Sequence, residues 1–132
     1  MNYFKIDGKT YDVLVTEISE NFSILFSENT GRTMSVGAKM TLDPLGTFFG
    51  HKIKVQRKPG HETEYDRLYD YVSQPRYDGM AVEVAHNQTT LCYDAYVSSG
   101  ERMLKRIDEK TGKVYWGELS LNIVPMRAQV TP

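Results

Sequence analysis

Residues 80–97 have the sequence MAVEVAHNQTTLCYDAYV, and this stretch decides the class of fold. Apolar and polar side chains alternate from Met80 to Val84 and again from Leu91 to Val97, and the polar residues 86–88 separate the two runs. A period of two places the apolar side chains of a strand on one face, where they can be buried. The stretch therefore predicts two half-buried antiparallel strands that are joined by a hairpin turn.

Similar runs lie on both sides of this hairpin. Residues with strand character occupy 3–6, 10–15, 22–26, 34–36, 49–55, 102–107 and 115–124, and turn residues separate them at Asp7-Gly8, 28–31, 43–46, 98–100 and 108–112. Asp-Gly between two β-prone runs is a strong hairpin signal, so residues 3–15 are predicted to form a hairpin. Residues 22–36 are predicted to form a second one, and the whole chain about eight strands.

One helix is predicted over residues 62–73. Its apolar side chains fall at positions i, i+3, i+4 and i+7, which gathers them into one stripe: Tyr65, Leu68, Tyr69 and Val72. His61 or Thr63 is placed to cap the helix, and Pro75 ends it. The fold class that follows is mainly β (α+β): an antiparallel β-sandwich or split barrel with one flanking α-helix.

The chain is expected to form a single domain, residues 1–132, because its length suits one core and no linker divides it. Residues 27–47 contain three glycines and have weak periodicity, which predicts an extended arm or loop that docks on a partner. Residues 126–132 follow Pro125 and are predicted to be a flexible or partner-dependent tail.

The charge balance argues against a general nucleic-acid-binding protein. Sixteen Lys and Arg residues face seventeen Asp and Glu residues, which gives a formal net charge of −1, whereas such proteins have a basic excess. A local basic patch stays open, because Lys52, Lys54, Arg57 and Lys58 are close in sequence. We expect neither a signal peptide nor a membrane span, since no apolar run approaches about 18 residues, and we expect synthesis in a bacterial cytoplasm.

Residue types that commonly perform chemistry are few and scattered. The three histidines lie on separate predicted elements, and none has a second ligand at a metal-binding spacing. Cys92 is the single cysteine and is predicted to face the core, and no Gly-x-Ser-x-Gly segment or glycine-rich phosphate loop is present. The acidic residues of the predicted helix fit a solvated face. We therefore expect no enzyme, no cofactor, no metal site and no small-molecule substrate.

Several residues instead suggest a protein interface. Some tyrosines belong neither to a strand face nor to the helix stripe, and exposed tyrosines favour contacts with other proteins. Apolar residues in the arm and tail favour such contacts as well. The candidate subunit-interface residues are Arg32, Met34, Val36, Met40, Leu42, Tyr77, Tyr96, Met126 and Arg127.

The order of these parts resembles a family of small structural proteins of siphophages and prophages that are encoded among the tail genes. The likeness covers most of the chain. It consists of an opening strand such as FKIDG at 4–8, a turn-rich segment, a basic strand such as HKIKV at 51–55, a short helix such as YDRLYDYV at 65–72, two strands, and an aromatic-led strand such as YWGELSLNIVP at 115–125. The likeness lies in the architecture, since none of these segments is a sharp motif.

The resemblance implies a tail-tube-like fold, which recurs in tube, distal-tail and hub proteins and assembles into rings, typically hexameric. It implies a non-enzymatic tail protein located in the virion, whose partners are further copies of itself and other phage tail proteins. DNA would then be met only as it passes through a tube lumen. Free strand edges are compatible with such a ring-former.

Three alternatives stay open on the sequence alone. One is a phage-encoded adaptor that binds another protein without forming a ring. A second is a single-strand nucleic-acid binder of the five-stranded barrel type that uses Lys52, Lys54 and Arg57 with exposed tyrosines. A third is a small enzyme or ligand-binding barrel, which would need a pocket with convergent polar groups.

Overall fold

The computed structural model describes residues 3–32 and 36–132. In chain order it contains β1 (Phe4–Ile6), β2 (Leu14–Phe26), β3 (Gly31–Arg32), β4 (Met40–Thr41), β5 (Pro44–Gln56), α1 (Glu62–Val72), β6 (Met80–His86), β7 (Thr89–Glu101), β8 (Leu104–Ile107), β9 (Val114–Trp116) and β10 (Leu119–Pro125). The mainly β fold with one helix is confirmed. No helix in the described ranges is long and apolar enough to span a bilayer.

Six strands form the main sheet in the order β1-β6-β7-β10-β5-β2, and every neighbouring pair in it is antiparallel. Two small hairpins, β3–β4 and β8–β9, extend from the ends of longer strand pairs. The predicted hairpin at 80–97 is β6–β7, and its turn places Asn87 at a positive φ of 52°. Asn tolerates this left-handed conformation better than most residues, which explains its place in the turn.

The core lies between the helix and the inner face of the sheet. Three residues of the predicted helical stripe are buried, Tyr65, Leu68 and Val72, and Tyr69 packs partly buried beside them. The Tyr65 hydroxyl donates a buried hydrogen bond of 2.7 Å to the carbonyl of Gly117, which ties the helix to the segment between β9 and β10. One continuous cluster of apolar residues thus joins helix and sheet.

The sheet is curled, so that distant strands meet across its interior. Strands β6 and β2 are separated by three others in the sheet order, yet His86 at the end of β6 contacts Glu20 of β2 at 2.7 Å. The edge strands β1 and β2 are joined by only residues 7–13, a span of at most about 25 Å when fully extended. Because the two edges are held this close, the sheet has the form of a barrel with an open seam.

The two hairpins predicted near the N-terminus are wrong. Asp7-Gly8 does form a tight turn, with Ile6 and Lys9 bonded to each other, but β1 then pairs with β6 and β2 pairs with β5. The second predicted hairpin is wrong as well, because residues 22–26 pair with residues 44–49 of β5, beyond the turn-rich segment, while residues 33–35 lie outside the described part of the chain. Turn chemistry is local, whereas the choice of partner depends on which faces can be buried together.

Three further expectations are corrected. Residues 98–100 form no turn, because β7 runs on to Glu101 and the register shift opposite Asn122 and Ile123 makes a bulge there. The last predicted strand breaks after Trp116 into β9 and β10. Cys92 is exposed on the outer face of β7 and does not face the core.

The helix ends at Val72, one residue before the predicted end, and its N-cap position is held by His61. The His61 side chain makes no capping hydrogen bond, and its Nδ1 instead lies 3.0 Å from a carboxylate oxygen of Asp12. Glu62 and Glu64 occupy the first turn, where negative charge is favourable.

Candidate interaction surface

The paired strands β2 and β5 project beyond the body of the sheet as an arm, residues 21–50. Residues 51–55 of β5 lie between two strands, since they pair with β10 on one side and with β2 on the other. Residues 44–50 of β5 have passed the end of β10, and their long ladder is with β2 alone. The arm therefore begins well before the segment 27–47 that the sequence suggested.

Apolar side chains on the arm are open to solvent. No residue of β2 from Glu20 onward is buried, and Phe22 retains 67% of its accessible surface. Exposed large apolar residues of the arm and its tip are Phe22, Ile24, Leu25, Phe26, Val36, Met40, Leu42 and Leu45. Because neighbouring residues of a strand point to opposite faces, this run from 24 to 26 makes both faces of the arm apolar.

Four of the predicted interface residues lie at the tip of the arm, residues 27–43. Arg32 and Met40 are partners in the short β3–β4 ladder, and Val36 and Leu42 are exposed around it. The base of the tip is closed by the Ser27 N–H, which donates to the carbonyl of Asp43 at 2.9 Å. Met34 lies outside the described residues.

Three other predicted residues line one groove of about 370 Å³, between the end of α1 and strands β6 and β7. They are Tyr77, Tyr96 and Met126, and Arg127 is exposed next to them in the chain. Gly79 forms part of the groove wall at a φ of 74°, and a Cβ there would lie 2.5 Å from the Ala95 carbonyl oxygen. The eight predicted residues that the structure describes therefore divide between the arm tip and the region of this groove.

The C-terminal tail, residues 126–132, lies along the base of the arm. The Met126 N–H donates to the Asp94 carbonyl of β7. Farther along the tail, Val130 forms an antiparallel β-bridge with Thr47 of β5. The sequence predicted a flexible or partner-dependent tail, and here its middle part pairs within the same chain. The tail continues the path of β10 between β7 and β5. It therefore lies beside the base of the arm, where β10 itself has ended.

A polar network closes the interior where the arm leaves the sheet. Oε2 of Glu20 lies 3.0 Å from Nε2 of His51 and 2.7 Å from Nδ1 of His86, and Nδ1 of His51 lies 2.7 Å from the Tyr93 hydroxyl. With His51 neutral, its Nε2–H donates to Glu20 and its Nδ1 accepts the tyrosine proton. The four residues come from β2, β5, β6 and β7, so the network ties the arm to the far side of the barrel.

Burial sets the protonation of this network. The His51 side chain is 0% exposed, and this desolvation lowers the pKa of its imidazole, an effect that the hydrogen bond to Glu20 only partly offsets. Desolvation would raise the pKa of Glu20, but the hydrogen bonds from His86 and His51 outweigh it and lower that pKa. Burial also raises the pKa of Tyr93 far above its usual value.

The sequence did not indicate either the network or the exposed arm faces. Residues 20, 51, 86 and 93 are far apart in the chain, and only the curl of the sheet brings them together. The alternation of Phe22, Ile24 and Phe26 suggested one buried face. The one available signal was Leu25, an apolar residue at a position where a half-buried strand would carry a polar one.

In the part of the chain that the structure describes, no group of three or more His, Cys, Asp or Glu side chains is arranged to hold a metal ion. The His51 side chain is sealed from solvent, whereas Tyr93 is partly exposed. No protein-family model matches the chain, and no curated protein is significantly similar to it.

Proposed function

We propose that the chain is a non-enzymatic structural protein of a bacteriophage or prophage tail that assembles with copies of itself through the arm. The observation that carries this proposal is an arm whose two faces both carry apolar side chains that stay 42–67% exposed in the monomer: Phe22, Ile24, Leu25 and Phe26. Large contiguous apolar surfaces on soluble proteins mark interaction sites. The architecture of a mainly β fold with a single helix is compatible with the tail-tube-like resemblance.

The free energy available from burying the apolar side chains of the arm is large enough to contribute to association. Burying one large apolar side chain contributes roughly 1.5–3 kcal/mol. The arm exposes several, among them Phe22, Ile24 and Leu25, and the cost of bringing two chains together is of the order of 4–15 kcal/mol. Full burial of these side chains would therefore offset much of that cost before any hydrogen bond is counted.

The two edges of the main sheet are unequal, which bears on how copies would join. One edge is β2 with 13 residues, and the other is β1 with only 3. Simple continuation of the sheet from β1 of one copy to β2 of the next would leave most of β2 without a partner. The arm is therefore the main contact in this proposal, and an arm that binds a different surface of the next copy gives a closed ring or a tube.

The partners in this proposal are further copies of the chain and other tail proteins, with the assembled virion as the location. A hexameric ring follows from the resemblance. The groove lined by Tyr77, Tyr96 and Met126 is a second surface open to these partners, since it is concave and partly apolar.

The test is to remove the arm tip without disturbing the fold. Ser27 and Asp43 are hydrogen bonded to each other, so residues 28–42 can be replaced by Asn-Gly, the pair that two-residue hairpin turns prefer. A matched control replaces the turn 108–113 of the other exposed hairpin in the same way, because Ile107 and Val114 are paired. Solution mass by light scattering and negative-stain imaging at high concentration provide the readout.

We expect rings or short tubes from the wild type and the control, and monomers from the variant that lacks the arm tip. Assembly that is equal in all three chains would contradict the role of the arm tip. A wild type that stays monomeric, but captures neighbouring gene products only when its arm is intact, would favour the adaptor instead of the ring-former.

A further inference from the structure

Cationic side chains converge on Tyr115 at the end of the sheet that also holds the β8–β9 hairpin. The guanidinium carbons of Arg57 and Arg106 lie 4.1 and 4.2 Å from the centre of its ring, and Nζ of Lys113 lies 5.4 Å from it. The ring offsets part of the repulsion between them through its negative face. The two guanidinium groups are nevertheless within about 8 Å of each other, a distance at which like charges near a protein surface repel.

Few carboxylates oppose these charges. Lys113 lies 3.5 Å from Glu62, but in the described ranges no carboxylate is within 4.0 Å of Arg57, Lys105 or Arg106. Asp108 also interacts with Arg106, so two carboxylates, Glu62 and Asp108, oppose the four cationic side chains Arg57, Lys105, Arg106 and Lys113. The cluster therefore has an excess of positive charge, although the whole chain is close to neutral.

A pocket of about 390 Å³ lies beside the cluster, and Arg57, Lys105 and Tyr115 contribute to its walls together with Glu62, the partner of Lys113. Gln56 of β5 also lines this pocket. Lys54 and Lys52 lie on the same outer face of β5 as Gln56, at increasing distance from the pocket. Side chains on one face of a strand are roughly 7 Å apart. Lys54 is paired with Glu17 at 3.3 Å, but an exposed pair of this kind is worth little and can exchange partners.

We propose that this pocket and the adjoining lysines form a sequence-independent site for the phosphodiester backbone of a nucleic-acid strand. Guanidinium and ammonium groups are the side chains that bind phosphate oxygens best. A row of charges that leads away from the pocket fits a polyanion better than a single ion. This inference does not depend on the proposed assembly.

The aromatic rings of the site favour phosphates over bases. Tyr115 has guanidinium groups over it, and the ring of Trp116 has Arg102 at 4.1 Å, so the rings that could stack on a base are already engaged by cations. Contacts to phosphate position a protein on nucleic acid without discriminating sequence. We therefore expect equal affinity for strands of different sequence and a strong dependence on salt.

The experiment measures the fluorescence anisotropy of labelled oligonucleotides of two unrelated sequences with the full chain at 50 and 200 mM salt. We expect binding at the lower salt concentration, an affinity at least about tenfold weaker at the higher one, and little difference between the sequences. Arg57→Gln/Arg106→Gln should weaken binding about tenfold or more at 50 mM salt. Arg57→Lys/Arg106→Lys should retain most of it.

The matched control is Lys9→Gln/Arg67→Gln, which removes the same number of charges from the turn after β1 and from the helix. Equal weakening by the control and by the Arg57/Arg106 variant would overturn the proposal, as would no binding at 50 mM salt. Arg57/Arg106-dependent binding of inorganic phosphate without oligonucleotide binding would overturn it too, and so would equally tight binding of polyglutamate. Light scattering on the same variants measures their solution mass, which shows whether a loss of binding results from a loss of assembly.

Discussion

The side-chain amide of Gln129 hydrogen bonds both backbone groups of Phe49. The Phe49 N–H donates to Oε1 and Nε2 donates to the Phe49 carbonyl, each at 3.0 Å. Phe49 lies on the arm just beyond the end of β10, so a side chain of the tail provides the bonds that a neighbouring strand would otherwise provide. The orientation of the arm therefore depends on the tail as well as on its own two strands.

Replacement of Gln129 by Ala should loosen the base of the arm. The change removes two partly buried hydrogen bonds and leaves the Phe49 groups without partners, so we expect a loss of about 1–3 kcal/mol in the free energy of unfolding. Denaturant titration measures it, and protease cleavage within residues 27–43 should become faster. Gln88→Ala, in the exposed β6–β7 turn, is the control and should change neither quantity.

Gly46→Ala should displace the tail. Gly46 has a φ of 155°, and a Cβ on it would lie 2.5 Å from the Cβ of Ala128 and 2.9 Å from the Val130 carbonyl oxygen. We expect a loss of about 1–3 kcal/mol in stability and faster hydrogen exchange at the amide of Thr47, which donates to Val130. Gly31→Ala has open space around the new methyl group, and unchanged exchange at Thr47 is expected there. Equal effects from both substitutions would contradict this account.

The polar network predicts a loss of stability in acid. Because burial lowers the pKa of His51 in the folded state, the unfolded chain takes up its proton first, and stability falls as the pH drops below the usual histidine pKa of about 6.5. The lowered pKa of Glu20 acts in the same direction at lower pH, since its contribution is present above the unfolded pKa and is lost as the pH falls through the folded value. Thermal unfolding between pH 7.5 and 5 measures this.

The substitution His51→Gln distinguishes the protonation of His51 from its hydrogen bonds as the cause of the acid sensitivity. Glutamine can bond both Glu20 and Tyr93 but cannot take up a proton in this range. The variant should be less stable than the wild type at pH 7.5, and its stability should fall less between pH 7.5 and 5. A slope as steep as that of the wild type would assign the acid sensitivity to other groups.

Tyr65→Phe tests the tie between helix and sheet. The substitution keeps the ring but leaves the carbonyl of Gly117 without its 2.7 Å donor in a buried site, so a loss of about 1–2 kcal/mol is expected in denaturant titration. Tyr77→Phe, on a fully exposed ring, is the comparison and should be within about 0.5 kcal/mol of the wild type.

Phe22→Ser should separate folding from assembly. The side chain is largely exposed, so we expect the monomer to change by no more than about 0.5 kcal/mol, while the concentration needed for assembly rises about tenfold or more. Ile107→Ser removes an exposed apolar side chain from β8 and should leave assembly unchanged. The same shift in both variants would indicate a general effect of surface hydrophobicity.

Local signals in the sequence were reliable where one element determines the outcome. The stripe Tyr65–Val72 predicted the helix, and the alternation in residues 80–97 predicted β6 and β7. The local signals did not predict which strands pair with each other. Asp7-Gly8 makes its turn in the structure, but the strands on either side of it belong to opposite edges of the sheet.

The sequence by itself determined the alternation of β6 and β7, the position of the helix and its buried stripe, because these depend on neighbours a few residues away. The tertiary structure alone decided that β2 pairs with β5 across the turn-rich segment, that Glu20 meets His51 and His86, and that Gln129 holds Phe49. Each of these contacts depends on the curl and stagger of the whole sheet. That geometry results from packing all strands around one core, and no segment specifies it alone.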